Sequence, residues 1–219
     1  MSIRLALAGN PNCGKTTMFN DLTGATQYVG NWPGVTVEKK EGRYKADKEI
    51  SITDLPGIYS LSPYTLEEVI TRDFLINEKP DVIVNLVDAS NIERNLYLTT
   101  QLLEIGIPVV IALNMMDIVT KRGDTIDTKK LSAELGVPVI ETTALKGKGT
   151  AELMAAAKKA AAAGVRPAQH AFSAEIENAL AQITDLIRDV TEEGHRRWFA
   201  VKLFERDEKV LARFQFSQE

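Results

Sequence analysis

Cysteine is almost missing from this chain. Cys13 is the single one in 219 residues, which excludes an intrachain disulfide framework and a thiolate zinc cluster and fits a reducing, cytoplasmic setting. Long apolar runs are missing too. The longest, such as residues 109–113, fall far below the roughly 18 to 20 residues that span a bilayer, so the chain itself is expected to cross no membrane. The apolar start at residues 3–8 is too short for a signal peptide and reads as a first strand. No excess of positive charge is present: 26 Lys and Arg stand against 30 Asp and Glu, for a formal charge of −4, and no basic arm forms. Nucleic acid is therefore not an expected partner. His170 and His195 are isolated, read as surface or packing residues, and with one cysteine make no transition-metal cluster. Internal repeats and low-complexity tracts are lacking, although residues 155–163 are rich in alanine.

What is there has the balance of a folded protein, with 44% hydrophobic and 26% charged residues. The length accommodates one α/β domain and a smaller appendage. Residues 3–8 followed by 15–23, with Met18, Phe19 and Leu22 at helical spacing, predict strand, loop and helix. Residues 35–44 and 49–53, flanking a polar turn at 46–48, predict an antiparallel hairpin. Residues 82–87 and 109–113 are continuous apolar runs of the kind buried on both faces in a parallel sheet, and 137–140 is a weaker third. Helical patterns at 66–76, 92–105, 128–135 and 150–163 alternate with them, which predicts a doubly wound α/β fold. After the break at 164–167, Ile176, Leu180, Ile183, Ile187 and Val190 keep helical spacing. Short helices at 196–205 and 208–214 follow, with Trp198, Phe199, Leu203, Val210, Leu211 and Phe214 as their core. The domain reading is 1–165 for an α/β nucleotide-binding domain and 166–219 for a small all-α domain.

The chemistry starts at Gly9-Asn10-Pro11-Asn12-Cys13-Gly14-Lys15-Thr16, which meets G-x-x-x-x-G-K-[ST] between a strand and a helix. Backbone N–H groups at such a helix start attract phosphate. Lys15 is expected to reach the β- and γ-phosphates and the Thr16 hydroxyl to ligate Mg²⁺. Cys13 reads as a loop residue, not a nucleophile. Asp54-Leu55-Pro56-Gly57 closes the second strand of the hairpin and supplies a carboxylate near Mg²⁺ and a Gly57 N–H for the γ-phosphate. Asn114-Met115-Met116-Asp117 ends a buried strand at the sheet edge where α/β folds bind ligands. A carboxylate there accepts from guanine N1–H and the 2-amino group, whereas adenine would leave it unpaired, at about 1–3 kcal/mol. Taken alone, Asn and Asp at a strand end also serve as turn residues. Glu141-Thr142-Thr143-Ala144-Leu145 would bring backbone N–H groups to the guanine carbonyl.

Four elements in this order resemble the TRAFAC-class GTPase domain. That resemblance implies a P-loop GTPase fold with a mostly parallel six-stranded sheet, one antiparallel strand and flanking helices. It also makes Thr36, in Gly34-Val35-Thr36, the switch threonine that closes on Mg²⁺. The stretch Val29-Gly30-Asn31-Trp32-Pro33-Gly34-Val35-Thr36-Val37-Glu38 is more specific. With Asp54-Leu55-Pro56-Gly57-Ile58-Tyr59-Ser60-Leu61 and Val87-Asp88-Ala89-Ser90-Asn91-Ile92-Glu93-Arg94-Asn95-Leu96-Tyr97-Leu98, it resembles the ferrous iron transport protein B (FeoB) family over essentially the whole chain.

The family resemblance implies a cytoplasmic GTPase region of a ferrous iron transporter, at the cytoplasmic face of the inner membrane, with the membrane-embedded portion of the parent protein as partner. The small helical domain, which ends soon after Phe214 and looks short, would damp nucleotide release. A homo-oligomer is left open. Asn12 is assigned to a bound K⁺ that replaces an arginine finger, with backbone carbonyls near Gly30 and Trp32 completing its shell; a loop-capping amide is the other reading. The catalytic set is then Asn12, Lys15, Thr36 and Gly57, with Mg²⁺ on Thr16, Thr36 and Asp54. Nucleotide contacts fall on Asn10, Pro11, Asn12, Cys13, Gly14, Lys15, Thr16 and Thr17. Further contacts come from Gly34, Val35, Thr36, Asp54, Pro56 and Gly57, and on the base side from Asn114, Met115, Asp117, Thr143, Ala144 and Leu145.

Two departures bear on mechanism. Ile58 stands where many GTPases carry a water-orienting glutamine, so hydrolysis is expected to be slow and K⁺-stimulated. Met115 stands where many have a lysine under the base. Glu67, Glu68 and Asp73 could include a general base but read as a solvated helix face. Two rival functions remain at this level: a nucleotide sensor with negligible turnover that regulates a membrane partner, and an RNA-modification or ribosome-assembly GTPase, which no RNA module supports.

Overall fold

The computed structural model describes residues 2–25, 27–62, 64–164, 167 and 171–214. One seven-stranded sheet organises it, in the order β2-β3-β4-β1-β5-β6-β7. The strands are β1 (Ile3–Gly9), β2 (Gln27–Asn31), β3 (Glu38–Arg43), β4 (Ile50–Asp54), β5 (Val82–Asp88), β6 (Val109–Asn114) and β7 (Val139–Glu141). The five strands β4, β1, β5, β6 and β7 run parallel, and β2 and β3 are antiparallel to their neighbours.

The sheet has one strand more than the resemblance implies. The addition is β2, which pairs Tyr28 with Glu41 and Gly30 with Lys39 at the edge of the sheet. The hairpin read at 35–44 and 49–53 is β3–β4, but residues 32–37 form a turn before β3 begins.

Alternation along β1 separates two apolar layers. Leu5 and Leu7 join Met18, Phe19 and Leu22 of α1 (Lys15–Thr23) and Leu153, Met154 and Ala157 of α6 (Thr150–Ala163). Ala6 and Ala8 join the opposite layer, with Leu98 and Leu102 of α3 (Ile92–Glu104). Each fully buried Phe, Met or Leu contributes roughly 1.5–3 kcal/mol, so α1 is fixed by three of them and its N-terminus is held at the end of β1.

The helix read at 66–76 is α2 (Leu66–Asp73), followed by a π-helical turn over Phe74–Glu78. A short α4 (Met116–Arg122), which the sequence pattern does not reveal, precedes α5 (Thr128–Leu135). The appendage consists of α7 (Ala174–Leu186), α8 (Arg196–Phe204) and α9 (Glu208–Phe214). Its Leu180, Ile187, Trp198, Phe199 and Val210 continue the second apolar layer. Polar bonds tie it down: Arg197 reaches Glu104 at 2.9 Å and Glu177 at 2.8 Å, and the buried pair Arg72–Asp207 joins α2 to the residue before α9 at 3.1 Å. The Arg197 hydrogen bond holds the Glu177 carboxyl down at about 2. His195 is buried, with Nδ1 2.8 Å from the Ile105 carbonyl. His170 lies outside the described residues. Among the described residues no helix is long and apolar enough to cross a membrane.

Candidate functional site

Parallel strands deliver their C-terminal ends to one edge of the sheet. Gly9 of β1, Asp54 of β4, Asn114 of β6 and Glu141 of β7 all stand there, so motifs distant in sequence meet.

The loop after β1 is specified by close approach. A Cβ on Gly9 would fall 2.7 Å from the Leu86 carbonyl oxygen and 2.8 Å from Cys13 Sγ. Gly14 has φ 90° and would place a Cβ 2.4 Å from Asn114 Nδ2. Asn12 also takes a left-handed conformation, φ 66°, which asparagine tolerates better than most residues. The start of α1 carries no capping side chain and no acidic residue in its first turn. Its unpaired N–H groups and positive dipole end are thus open to an anion. Thr16 and Thr17 are exposed in that turn, while Cys13 is buried and its thiol is pushed up to about 11 by burial, which makes it a poor nucleophile.

Lys15 Nζ lies 2.6 Å from Asp54 Oδ1, and both side chains are largely buried. Burial pushes the Asp54 carboxyl above the usual carboxylate range, and Lys15 opposes that shift. Downstream, Leu55 N–H donates to the Leu7 carbonyl and Ile58 N–H to the Gly9 carbonyl, at 3.0 and 3.2 Å. Gly57 sits against Pro11, where an added Cβ would be 3.2 Å from Pro11 Cα. Pro56 and Gly57 therefore border the phosphate loop directly. Ile58 is 2% exposed and part of the core, so it has no group to orient water.

Glu68 is not on a solvated face. It is 8% exposed, and it closes a capping box with Thr65 and accepts from Ser60 Oγ at 3.1 Å. Its carboxylate is occupied by the start of α2. Glu67 and Asp73 are exposed.

On the base side, the Asn114 carboxamide donates to the Cys13 carbonyl at 2.9 Å and accepts from Ala144 N–H at 3.0 Å and Thr142 Oγ1 at 3.3 Å. It is a brace between the phosphate loop and the loop after β7. Met115 starts α4 with φ 63°, and its Cε approaches within 3.9 Å of the position a Gly14 Cβ would take. Asp117, in the first turn of α4, is paired with Lys146 Nζ at 3.1 Å, and that bond holds its carboxyl below the usual range. Thr143 bridges to Lys148, Ala144 is buried, and Leu145 is 84% exposed beside Asp117's lysine. Lys146 escaped the sequence reading because it lies one residue past the quoted element.

The segment expected to be the first switch is closed on itself. Trp32-Pro33-Gly34-Val35 forms a turn closed by Val35 N–H to the Trp32 carbonyl at 3.2 Å, with Pro at the second position and Gly34 at φ 75° in the third, a type II arrangement. Trp32 is buried edge-on against Phe74 at 5.5 Å, with Lys39 over its ring at 5.0 Å. Together with Pro33 and Val35 it lines a cavity of about 1000 Å³ that runs from Thr53, next to Asp54, to Arg4 and Leu5 near the start of β1, and it shares an apolar layer with Ala8, Leu55 and Ile58. Thr36 is exposed, and among the described residues no hydrogen bond joins residues 29–37 to residues 9–17. Gly30 is held in the ladder opposite Lys39. The structure thus brings Lys15, Asp54, Gly57 and Asn114 together at the loop that holds Asn12 and Thr16, sets Asp117 against Lys146, and leaves Gly30, Trp32 and Thr36 without a hydrogen bond to the loop.

The donor set suits hard cations in part. A hydroxyl (Thr16) and a carboxylate (Asp54) match Mg²⁺, which prefers oxygen, and the left-handed Asn12 presents an exposed amide for K⁺.

Comparison with known proteins converges on one family. Residues 3–157 match the family model described as ferrous iron transport protein B, and residues 172–219 match the FeoB cytosolic helical domain. An Fe(2+) transport protein A/Fe(2+) transporter FeoB fusion protein of Porphyromonas gingivalis is 47% identical over 216 residues, covering 95% of this chain; the chain spans 26% of that relative's length. A crystal structure of a mutant S. thermophilus NFeoB bound to GDP superposes with TM-score 0.94 at 48% identity, covering 99% of this chain and 84% of that one. S. thermophilus NFeoB bound to GDP.AlF4- and K+ gives 0.90 at 48% identity, with the same coverage.

Proposed function

The chain belongs to the FeoB family, and on that premise we propose that it is the GTP-hydrolysing switch unit of a ferrous iron membrane transporter, a slow GTPase stimulated by K⁺. In this reading residues 1–165 are the GTPase domain and 166–219 a helical domain that restrains nucleotide release. The transporter's membrane portion is the partner, and the unit works at the cytoplasmic face of the membrane.

The observation that carries the reading is the meeting of Lys15, Asp54, Gly57 and the Asn114 brace around one glycine-shaped loop at a bare helix start. Solved relatives hold GDP, and one holds GDP.AlF4- with K+. In hydrolysis the oxygen of water bonds to the γ-phosphorus as the bond to the β–γ bridging oxygen breaks, leaving GDP and phosphate. Loop N–H groups and Lys15 stabilise charge growing on the phosphates, and Gly57 N–H faces the γ-phosphate. Thr16, Asp54 and Thr36 would hold Mg²⁺, and Asn12 with the Gly30 and Trp32 carbonyls would hold K⁺. These cations would supply positive charge where other GTPases use an arginine finger, worth about 10³ to 10⁵ in rate. Asp117 accepts from guanine, and Asn114 sets the loops that flank the base.

Slowness follows from two features. Ile58 cannot orient water, and residues 29–37, which make no hydrogen bond to the phosphate loop, must rearrange for Thr36 to engage the phosphates. That unengaged switch also favours a second reading, a sensor that signals by nucleotide occupancy alone. Phosphate release measured with GTP and with ATP, with Lys15→Ala as control, separates them. Stoichiometric phosphate from GTP and none from ATP is the expected result; binding without release supports the sensor.

A further inference from the structure

The segment 87–98 carries no chemistry in the reading above, yet it is one of the most densely bonded parts of the molecule. Asp88 accepts from Ser90 N–H at 2.8 Å and from Asn91 Nδ2 at 2.9 Å, and Asn95 Oδ1 accepts from Asp88 N–H at 3.2 Å. Asn95 Nδ2 returns to the Asn91 carbonyl at 3.0 Å. Thr99 Oγ1 donates to Asn85 Oδ1 at 2.6 Å, deep in β5. This network fixes the start of α3, and what it fixes in place is Arg94.

Arg94 faces the site with both its main chain and its side chain. Its carbonyl accepts from Asn10 Nδ2 at 3.5 Å, and Asn10 is 3% exposed in the phosphate loop. Its guanidinium lies over the Tyr59 ring, with Cζ 4.2 Å from the centroid. Tyr59 is 41% exposed, whereas its neighbour Ile58 is buried in the core. The chain from Gly57 to Tyr59 is thus held at three points: Gly57 on Pro11, Ile58 N–H on Gly9, and Tyr59 under Arg94.

We propose that Arg94 is a positioning residue for GTP hydrolysis: by stacking on Tyr59 while its carbonyl holds Asn10, it fixes the Gly57 segment over the phosphate loop. It touches neither phosphate nor base in this role, so it acts on the rate and not on GDP affinity. With no glutamine in the second switch, the placement of the Gly57 N–H matters more than in a GTPase that also has a side chain to orient water. An exposed cation–π contact is modest, and its loss corresponds to a rate change of about 2- to 5-fold.

The inference rests on the GTPase reading, and the test keeps the two apart. In single-turnover GTP hydrolysis with Mg²⁺ and K⁺, wild type must turn over; if it does not, the GTPase reading fails first. Given turnover, Arg94→Ala should slow the rate about 2- to 5-fold with GDP affinity and melting temperature unchanged. Arg94→Lys should recover most of the loss, and Tyr59→Phe should match wild type because the ring remains. Tyr59→Ala should resemble Arg94→Ala, and the double variant should be no slower than either single. A wild-type rate for Arg94→Ala, a parallel loss of rate and GDP affinity, or additive losses in the double variant would each overturn the proposal.

Discussion

Lys15 and Asp54 neutralise one another across the phosphate loop, 2.6 Å apart and both largely buried. Lys15 is the cation suited to phosphate and Asp54 the carboxylate suited to Mg²⁺, so in the proposed site a Mg²⁺-nucleotide complex would exchange this pair for two new partners. Charge-assisted hydrogen bonds are worth about 1.5–3 kcal/mol, or roughly 10- to 150-fold in affinity. Lys15→Ala should weaken GDP binding by that order in a fluorescent-nucleotide titration. Asp54→Asn should leave binding in EDTA nearly intact while abolishing its enhancement by Mg²⁺.

In the proposed site Asp117 accepts two guanine donors through its charged form, and Lys146 holds that carboxyl below its ordinary range. For a depressed carboxylate, the favourable form is complete above the ordinary value and is lost as pH falls through the lowered one. GDP affinity should therefore stay level from neutral pH down to about pH 4. Lys146→Met returns Asp117 toward its ordinary value, so the acid decline should begin at a higher pH than in wild type. An unchanged midpoint would remove Lys146 from the base site.

Asn114 braces two loops, and replacing it leaves the Cys13 carbonyl and Ala144 N–H unpaired. Asn114→Ala should cost about 1–3 kcal/mol for each orphaned group, seen as a lower melting temperature even without nucleotide. Gly14→Ala should act alike, because its Cβ would stand 2.4 Å from Asn114 Nδ2 in a left-handed backbone.

Arg72 and Asp207, with side chains 6% and 5% exposed, join α2 to the helical part. Arg72→Met strands a buried carboxylate and should destabilise by about 3–5 kcal/mol, or roughly 10 °C in melting temperature. Adding Asp207→Asn removes that charge, keeps an oxygen to accept from Val210 N–H, and should recover most of the loss.

The parallel core was legible in the sequence because β1, β5 and β6 are continuous apolar runs, and the loop motifs fall at their ends. β2 was not, since Gln27–Asn31 mixes polar, aromatic and glycine residues and is a strand only through its pairing with β3. α4 was hidden by its seven-residue length and its left-handed start at Met115. The role of Asn114 depends on a partner 101 residues away, which no local pattern reveals, whereas Glu68 belongs to the local Thr65-x-x-Glu68 capping-box pattern. The place of Trp32 was illegible for the same reason: Phe74 and Lys39 hold it, and residues 32–37 alone do not determine where they rest.

K⁺-assisted hydrolysis is the central claim, and it is tested most directly by single-turnover GTP hydrolysis in K⁺ and in Na⁺ at equal ionic strength, for wild type and Asn12→Ala. The account predicts a rate at least about 10-fold faster in K⁺ for wild type, as befits a fraction of an arginine finger's effect, and equal slow rates in both salts for Asn12→Ala. Equal rates in K⁺ and Na⁺ for wild type, or full K⁺ stimulation without the Asn12 amide, would contradict it.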